Sequence, residues 1–256
     1  MAPQQPTPPR EIPLEAMGKR TRRAFLVGGI AAGAGFAGWR WLRTRGAVDG
    51  IPWPLRKAHE ANGWIGRRLY SNDRLAPEFP PAMAGEPMVN GPFGAPTAPR
   101  DFDWELNVEQ PGSAPRKFRS SDAAALPRVT MTTEFKCIEG WSQVVTWSGV
   151  RLVDFMTAHN LGRKPDGAYF DYAALKTENG NYYVGLDIAS AMHPQTLLCD
   201  SMNGAPLTQG HGAPLRLILT VKYGIKSIKW LHHIRFQDER PADYWAERGY
   251  DWYSGL

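Results

Sequence analysis

The sequence predicts an α+β fold built from mixed β-sheets with a few short helices. Three observations carry that reading. From residue 104 onward apolar and polar residues alternate over short runs, helical spacing is confined to brief segments, and glycine- and asparagine-containing turns separate them. At 256 residues and 43% hydrophobic composition the chain can bury one sizeable core. It divides into an N-terminal segment over residues 1–50 and a single domain over 51–256.

Met1–Pro13 holds five prolines and few apolar residues and reads as a disordered tail. Thr21-Arg22-Arg23-Ala24-Phe25-Leu26 then leads into the uncharged, glycine-rich stretch Ala24–Trp39, the build of a twin-arginine export signal. Those 16 residues fall short of the ~20 that span a bilayer. Snorkelling of Arg40 with Trp39 and Trp41 at the interface extends them. With no convincing small-x-small cleavage site just beyond, residues 24–42 read as signal and uncleaved anchor, placing the body in the periplasm at the inner membrane. Gly33-Ala34-Gly35-Phe36-Ala37-Gly38 has the formal spacing of a dinucleotide-binding loop. No strand precedes it and no acidic residue follows at the required distance, so that reading is set aside.

The formal charge of +5 suggests nucleic acid until it is located. Residues 1–45 carry eight Lys/Arg against Glu11 and Glu15, which leaves the remainder at −1. A near-neutral body lacks the basic footprint of a phosphate-backbone binder.

Ile51–Tyr70 interleaves Arg56, Lys57, Arg67 and Arg68 with Trp53, Leu55, Trp64 and Leu69, and reads as a basic linker or a segment lying near a membrane surface. Pro77–Pro99 is rich in proline and glycine and reads as an extended arm. Trp104–Val108 alternates as a strand, and Ser121-Asp122 opens a short helix to Leu126. Val129, Met131, Thr133 and Phe135 alternate with polar partners as a half-buried strand ending at Cys137. Leu152, Phe155, Met156 and His159 share one helical face, with Gly162 just beyond as a stop. Strands follow at about 168–176, 196–202, 214–221 and 227–237, with Asn203-Gly204 as a turn. Pro241 and Gly249 bracket a short C-terminal helix whose neighbouring aromatics close the core.

Chemistry concentrates in two segments. The first is Phe135-Lys136-Cys137-Ile138-Glu139-Gly140-Trp141-Ser142, where a thiol sits between a strand and a Gly-Trp turn. On composition alone Cys137 is either a metal ligand or the partner of Cys199 in a disulfide. Zinc is disfavoured because no Cys/His pair has ligand spacing, and no C-x-x-C-H exists for covalent haem. The second runs from Met202-Asn203-Gly204 through Gln209-Gly210-His211-Gly212-Ala213-Pro214-Leu215-Arg216 to Ser227-Ile228-Lys229-Trp230. It offers cationic side chains and close-approach glycines of the kind a phosphate-bearing ligand needs.

Together these segments resemble the sulfite oxidase family, in the form found in periplasmic protein-methionine-sulfoxide reductase catalytic subunits. The resemblance covers roughly residues 51–256 and implies a sulfite oxidase-like molybdopterin-binding domain. It implies that Cys137 gives a soft thiolate to a molybdenum–molybdopterin, and that His211, Arg216, Ser227, Ile228 and Lys229 occupy pterin-binding positions. Thr177 matches another such position. An asparagine upstream of the cysteine is implied too, with Asn90 the candidate and Asn72 its rival. Tyr183 matches a tyrosine near the substrate face, and Glu139 and Trp141 fall where they border the metal. Each residue also has an ordinary reading: a strand-end arginine, a loop histidine, a solvated lysine, a core tyrosine. His193 and the His232-His233 pair are read as structural.

The activity implied is two-electron oxygen-atom transfer, reducing an S- or N-oxide such as methionine sulfoxide. Electrons then come from a membrane b-type cytochrome. Sulfite oxidation with a periplasmic c-type cytochrome as acceptor is the alternative, and a membrane-tethered module without metal is a third reading. Sulfite oxidases carry an arginine shortly after the ligand cysteine, where this chain has Glu139-Gly140-Trp141-Ser142. A carboxylate there favours a neutral sulfoxide over anionic sulfite. The family's sulfoxide reductases in turn carry a longer insertion where this chain runs directly from Thr177 to Tyr183.

Overall fold

The structure, a computed structural model, describes residues 14–48, 50–85, 88–97 and 103–256. The expected disordered tail lies outside these residues, as do positions 86–87 and 98–99 of the expected arm. The chain forms two compact units, Met1–Val48 with Pro52–Pro54, and Asp49–Ile51 with Leu55–Leu256.

The first unit is dominated by one helix, α1 (Leu14–Arg43), 30 residues long. It therefore continues well beyond the uncharged stretch on both sides. Arg40 and Arg43 occupy its last turn, where cations suit the negative end of the helix dipole. Among the described residues no helix is long and apolar enough to cross a membrane, so the anchor expected over 24–42 meets no spanning segment. The glycines and the flanking arginines keep α1 too polar for that.

Two-residue strands at Ala47–Val48 (β1) and Ile51–Pro52 (β2) precede helix α2 (Trp53–Leu69). The basic linker expected here is thus a 17-residue helix. Its residues Gly63 and Gly66 lie against Tyr253, where an added Cβ on Gly66 would meet the ring at 2.5 Å. Arg56, buried on the same helix, donates to the Ala246 carbonyl at 3.1 Å. The segment docks on the C-terminal residues through glycine notches that carry no hydrophobic periodicity.

The rest of the second unit is two five-stranded sheets. Its elements are β3 (Glu105–Glu109), β4 (Arg116–Arg119), α3 (Ser120–Ala124), β5 (Arg128–Lys136), β6 (Ser142–Arg151), α4 (Leu152–Ala158), β7 (Tyr172–Thr177), β8 (Tyr183–Asp187), α5 (Ile188–Ala191), β9 (Thr196–Met202), β10 (Ala205–Pro206), β11 (Arg216–Leu219) and β12 (Leu231–Gln237). One sheet is ordered β10-β9-β6-β5, with β11 also paired to β9. The other is ordered β4-β3-β12-β7-β8, and within it β12 runs parallel to β3 while the remaining pairs are antiparallel. This is the mixed-sheet α+β class that the patterning predicts. A core including Leu106, Phe155, Leu175, Leu186, Leu217, Ile228 and Phe236, each fully buried, joins the elements.

Differences from the expected elements have local causes. β6 is not signalled because Gly149 interrupts it. A Cβ there would lie 2.0 Å from the Leu198 carbonyl oxygen, and the β6–β9 register shifts between Ser148 and Gly149. The last strand begins at Leu231, not Ser227, because Gly224–Lys226 forms a 3-10 turn and Ser227–Trp230 crosses alongside β11. There Leu217 N donates to the Ile228 carbonyl at 2.9 Å and Leu219 N to Ser227 Oγ at 3.1 Å. The expected C-terminal helix shrinks to one 3-10 turn, Ala246–Arg248. Asp243, rather than Pro241, anchors its start, accepting from Trp245 N and Ala246 N while Lys226 Nζ holds its other oxygen at 2.6 Å. The described parts of the arm run along the β5–β6 hairpin, with Phe79 N donating to the Thr132 carbonyl and Gly85 N to the Val144 carbonyl, and the expected extended course is interrupted by one 3-10 turn at Pro81–Met83.

Candidate functional site

The β5–β6 hairpin presents the thiol. Lys136 pairs with Ser142 at its end, and Cys137 N donates to the Trp141 carbonyl at 2.9 Å. The loop closes through Gly140, whose φ of +91° suits glycine. Cys137 is 6% exposed and is a free thiol. Asn90 Nδ2 lies 3.6 Å from its sulfur, and Glu139 Oε2 lies 3.7 Å away. Burial pushes the Cys137 thiol pKa up, and the neighbouring carboxylate adds to this. Glu139, by contrast, is exposed, and the Trp141 indole N–H at 3.0 Å holds its carboxyl below the ordinary range. Cys199, at the centre of β9, is also free and fully buried, its thiol pushed up to about 12 by burial. The disulfide reading is therefore replaced by two separate thiols.

Facing the thiol is a cleft of about 200 Å³. Asn90, Cys137, Glu139, His211, Arg216, Ser227 and Lys229 all line it, so seven residues singled out in the sequence converge there. Arg216, at the start of β11, is 4% exposed and donates to the His211 carbonyl at 3.0 Å and the Ser227 carbonyl at 3.2 Å. Its Nε is buried with no partner, and its guanidinium stands 4.9 Å from the centre of the Trp147 ring. Burial lowers its pKa to about 10. Lys229 Nζ donates to the Asn90 and Gly210 carbonyls, and burial, with the charge of Arg216 adding to it, lowers its pKa to about 8. Among the described residues neither cation forms an ion pair. A buried Arg216 beside a half-buried Lys229, with no carboxylate between them, is costly unless an anion joins them.

The donor set fits a molybdenum–molybdopterin. A free thiol supplies the soft ligand, and Arg216, with an unpartnered buried N–H, supplies charge for a phosphate. Gly212 provides close approach: its φ is +101°, and an added Cβ would meet Lys229 Cβ at 2.8 Å. Gly224 is equally tight against Phe135.

Three expected residues fall outside the cleft lining. Ile228 is fully buried in the core and contributes its carbonyl to β11. Thr177 is also fully buried. Its hydroxyl donates to Asn179 Oδ1 at 2.9 Å and accepts from Tyr182 N, closing the β7–β8 turn beneath Gly94. Tyr183 points to the opposite face of β8, where its hydroxyl donates to Glu247. The cleft-facing tyrosine is its neighbour Tyr182, whose hydroxyl donates to the Ile225 carbonyl at 2.7 Å. The alternation of strand faces separates the two, and counting it from the Asn179-Gly180 turn was the available signal. Of the rival asparagines, Asn90 lines the cleft and Asn72 does not. Phe93, Trp245 and Tyr250 also line the cleft, with Trp245 edge-on to Phe93 and to Tyr250. Of the C-terminal aromatics read in the sequence as core closure, Trp252 and Tyr253 are buried in a small cluster and Tyr244 and Trp245 pack on the main core, while Trp245 and Tyr250 also wall the site.

A family model described as the oxidoreductase molybdopterin binding domain matches residues 93–245. A putative protein-methionine-sulfoxide reductase subunit YedZ1 of Azospira oryzae is 30% identical over 243 residues, 91% of this chain and 87% of that one. The protein-methionine-sulfoxide reductase catalytic subunit MsrP of Xanthomonas axonopodis pv. citri is 36% identical over 157 residues, which span 56% of this chain and 48% of that relative. Among solved structures, the sulfane dehydrogenase SoxCD from Paracoccus pantotrophus aligns with a TM-score of 0.47 and 19% identity, covering 54% of this chain and 39% of that one.

Proposed function

The chain belongs to the molybdopterin-binding oxidoreductases of the sulfite oxidase family, and on that premise we propose that it reduces a neutral sulfoxide, methionine sulfoxide being the first candidate. The relatives named for that activity support the substrate class. The observation that carries the reading is the placement of Glu139: an exposed carboxylate 3.7 Å from the Cys137 sulfur, lining the same cleft. Its negative charge repels sulfite and leaves a neutral sulfoxide unaffected.

Cys137 would ligate the metal, with Asn90 donating to the sulfur and favouring its thiolate form. Arg216, with His211 and Ser227 beside it, would hold the phosphate end of the pterin. Lys229 has a different part. Its ammonium bolts the Asn90 backbone to the Gly210 backbone, fixing the segment that carries the amide and setting a positive charge beside Arg216. When bound, the cofactor supplies two-electron oxygen-atom exchange. Trp141, Phe93, Trp245 and Tyr250 form an apolar surround that excludes water from the reacting sulfur.

The relatives' names as reductase subunits support a separate electron donor, and a membrane b-type cytochrome is the class proposed. Export by the twin-arginine route is the proposed path: Arg22-Arg23 supports it, it suits a protein that receives its cofactor before leaving the cytoplasm, and it would put the site in the periplasm. The deciding assay offers the molybdenum-loaded protein methionine sulfoxide with a reduced viologen, then sulfite with ferricyanide. Sulfoxide turnover is the expected result. Rapid sulfite oxidation without sulfoxide reduction would overturn the substrate and leave the cofactor in place.

A further inference from the structure

We propose that Met88 is a substrate of this site in cis: once oxidised to the sulfoxide, it is reduced in place by the protein that carries it. This rests on the sulfoxide-reducing reading above. Two methionines of the arm are open to oxidants, Met88 at 50% exposure and Met83 at 56%, while Met131, Met156 and Met202 are buried at 2%, 1% and 7%. Exposed thioethers are the ones that peroxide reaches. Of the two, Met88 lines the cleft alongside Cys137, Glu139 and Trp141, and Met83 does not.

Met88 is also held there. Its backbone N–H donates to Gln143 Oε1, and Gln143 stands opposite Phe135 in the hairpin that presents Cys137. Two residues further on, Asn90 is fixed from both sides, its amide against the Cys137 sulfur at 3.6 Å and its carbonyl on Lys229 Nζ. Two residues of chain span at most about 7 Å, and the flexible methionine side chain adds reach of its own. A thioether tethered so close to the reacting position has a high effective concentration there.

The chemistry balances in both directions. Hydrogen peroxide transfers one oxygen to the Met88 sulfur and leaves as water. In the reverse step the S–O bond breaks, and the oxygen departs as water with two protons and the two electrons that the external donor supplies for the proposed reaction. The sulfoxide form places a polar, substrate-like group at the cleft mouth, so a peroxide-exposed protein occupies its own site until electrons arrive.

The test starts from peroxide-treated, molybdenum-loaded full-length protein, with peptide mass spectrometry reading one-oxygen additions. Met88 and Met83 are expected to oxidise at similar rates, well ahead of Met131 and Met156. Resistance of Met88 to peroxide would refute the proposal at this first readout. Reduced viologen is then added at several protein dilutions. The Met88 sulfoxide should disappear at a rate independent of protein concentration and at least about tenfold faster than that of Met83, and should persist in protein prepared without molybdenum. Persistence in the loaded protein, or loss no faster than at Met83, would overturn the inference. A parallel assay with free methionine sulfoxide separates the two claims. Turnover of the free compound with Met88 sulfoxide untouched sinks the cis reaction alone, and failure of both sinks the functional reading as well. Loss of the Met88 sulfoxide without turnover of the free compound upholds the inference and overturns the free amino acid as substrate.

Discussion

Asn90 and Cys137, 47 positions apart in the chain, meet side chain to side chain, the amide nitrogen 3.6 Å from the sulfur and 3.4 Å from Glu139 Oε2. The amide favours a thiolate, while burial and the carboxylate disfavour it. Without a metal the thiol stays protonated at neutral pH. A soft, positively charged metal reverses that balance, since coordination deprotonates the sulfur.

Among the described residues, replacing Cys137 by serine removes the only sulfur that lines the cleft besides that of Met88. The protein should lose sulfoxide turnover and the thiolate-to-metal features of its electronic spectrum, while Cys199→Ala, altering a buried core thiol, keeps both. Metal analysis and absorption spectra of the two variants check this. Molybdenum retained with an unchanged spectrum in Cys137→Ser would reject Cys137 as the ligand.

Arg216→Met should weaken cofactor retention by about tenfold to a hundredfold, the range for losing one or more hydrogen bonds to a charged group worth about 1.5–3 kcal/mol. The cofactor-free variant should still unfold cooperatively, because the replaced cation has no carboxylate partner to strand among the described residues. Phosphate or pterin released on heat denaturation, measured per mole of protein, gives the readout.

Glu139→Gln should leave sulfoxide reduction and improve access of anions, lowering the KM of sulfite by about tenfold, equivalent to about 1.4 kcal/mol for one nearby partly screened charge. The Trp141 N–H keeps this carboxyl ionised below the ordinary carboxylate range. Wild-type discrimination against sulfite should therefore persist at mildly acidic pH and fade only as pH falls through that lowered value. The variant should show no such fade.

Lys222 is buried against the Tyr253 ring, donates to the Tyr253 carbonyl at 3.0 Å, and lies 3.7 Å from Asp187, with Lys226 and Asp251 also acting on it. Burial lowers its pKa from 10.5 to about 7. Between those values the unfolded chain binds the extra proton, so stability from this group rises with pH. Denaturant titrations of wild type and Lys222→Met should diverge from about pH 7 to about pH 10, wild type gaining at most about 1.4 kcal/mol per pH unit relative to the variant. A pH-independent difference would show that Lys222 titrates normally.

Changing Arg22-Arg23 to Lys-Lys should strand folded, cofactor-loaded protein in the cytoplasm. Cell fractionation followed by metal analysis measures it, and undiminished periplasmic protein would point to another export route.

Local pattern made much of this molecule legible. The alternation of Val129 to Phe135 defined β5 and placed Cys137 at its end, and the Asn203-Gly204 turn separated β9 from β10. The cationic side of the cleft, His211 to Lys229, was legible through the resemblance of that segment to the family, and those residues lie on one stretch of chain that lines the cleft with the hairpin. Tertiary structure decided what depends on facing and on distant partners. It set Tyr182 rather than Tyr183 toward the cleft, turned Lys229 onto the carbonyls of Asn90 and Gly210, and made α2 a docked helix through the fit of Tyr253 on Gly63 and Gly66. The apolar wall of Phe93, Trp245 and Tyr250 joins side chains more than 150 positions apart. A sequence states which groups are present and their local period; which of them share a cavity follows only when the sheets close and backbone carbonyls far along the chain become their partners.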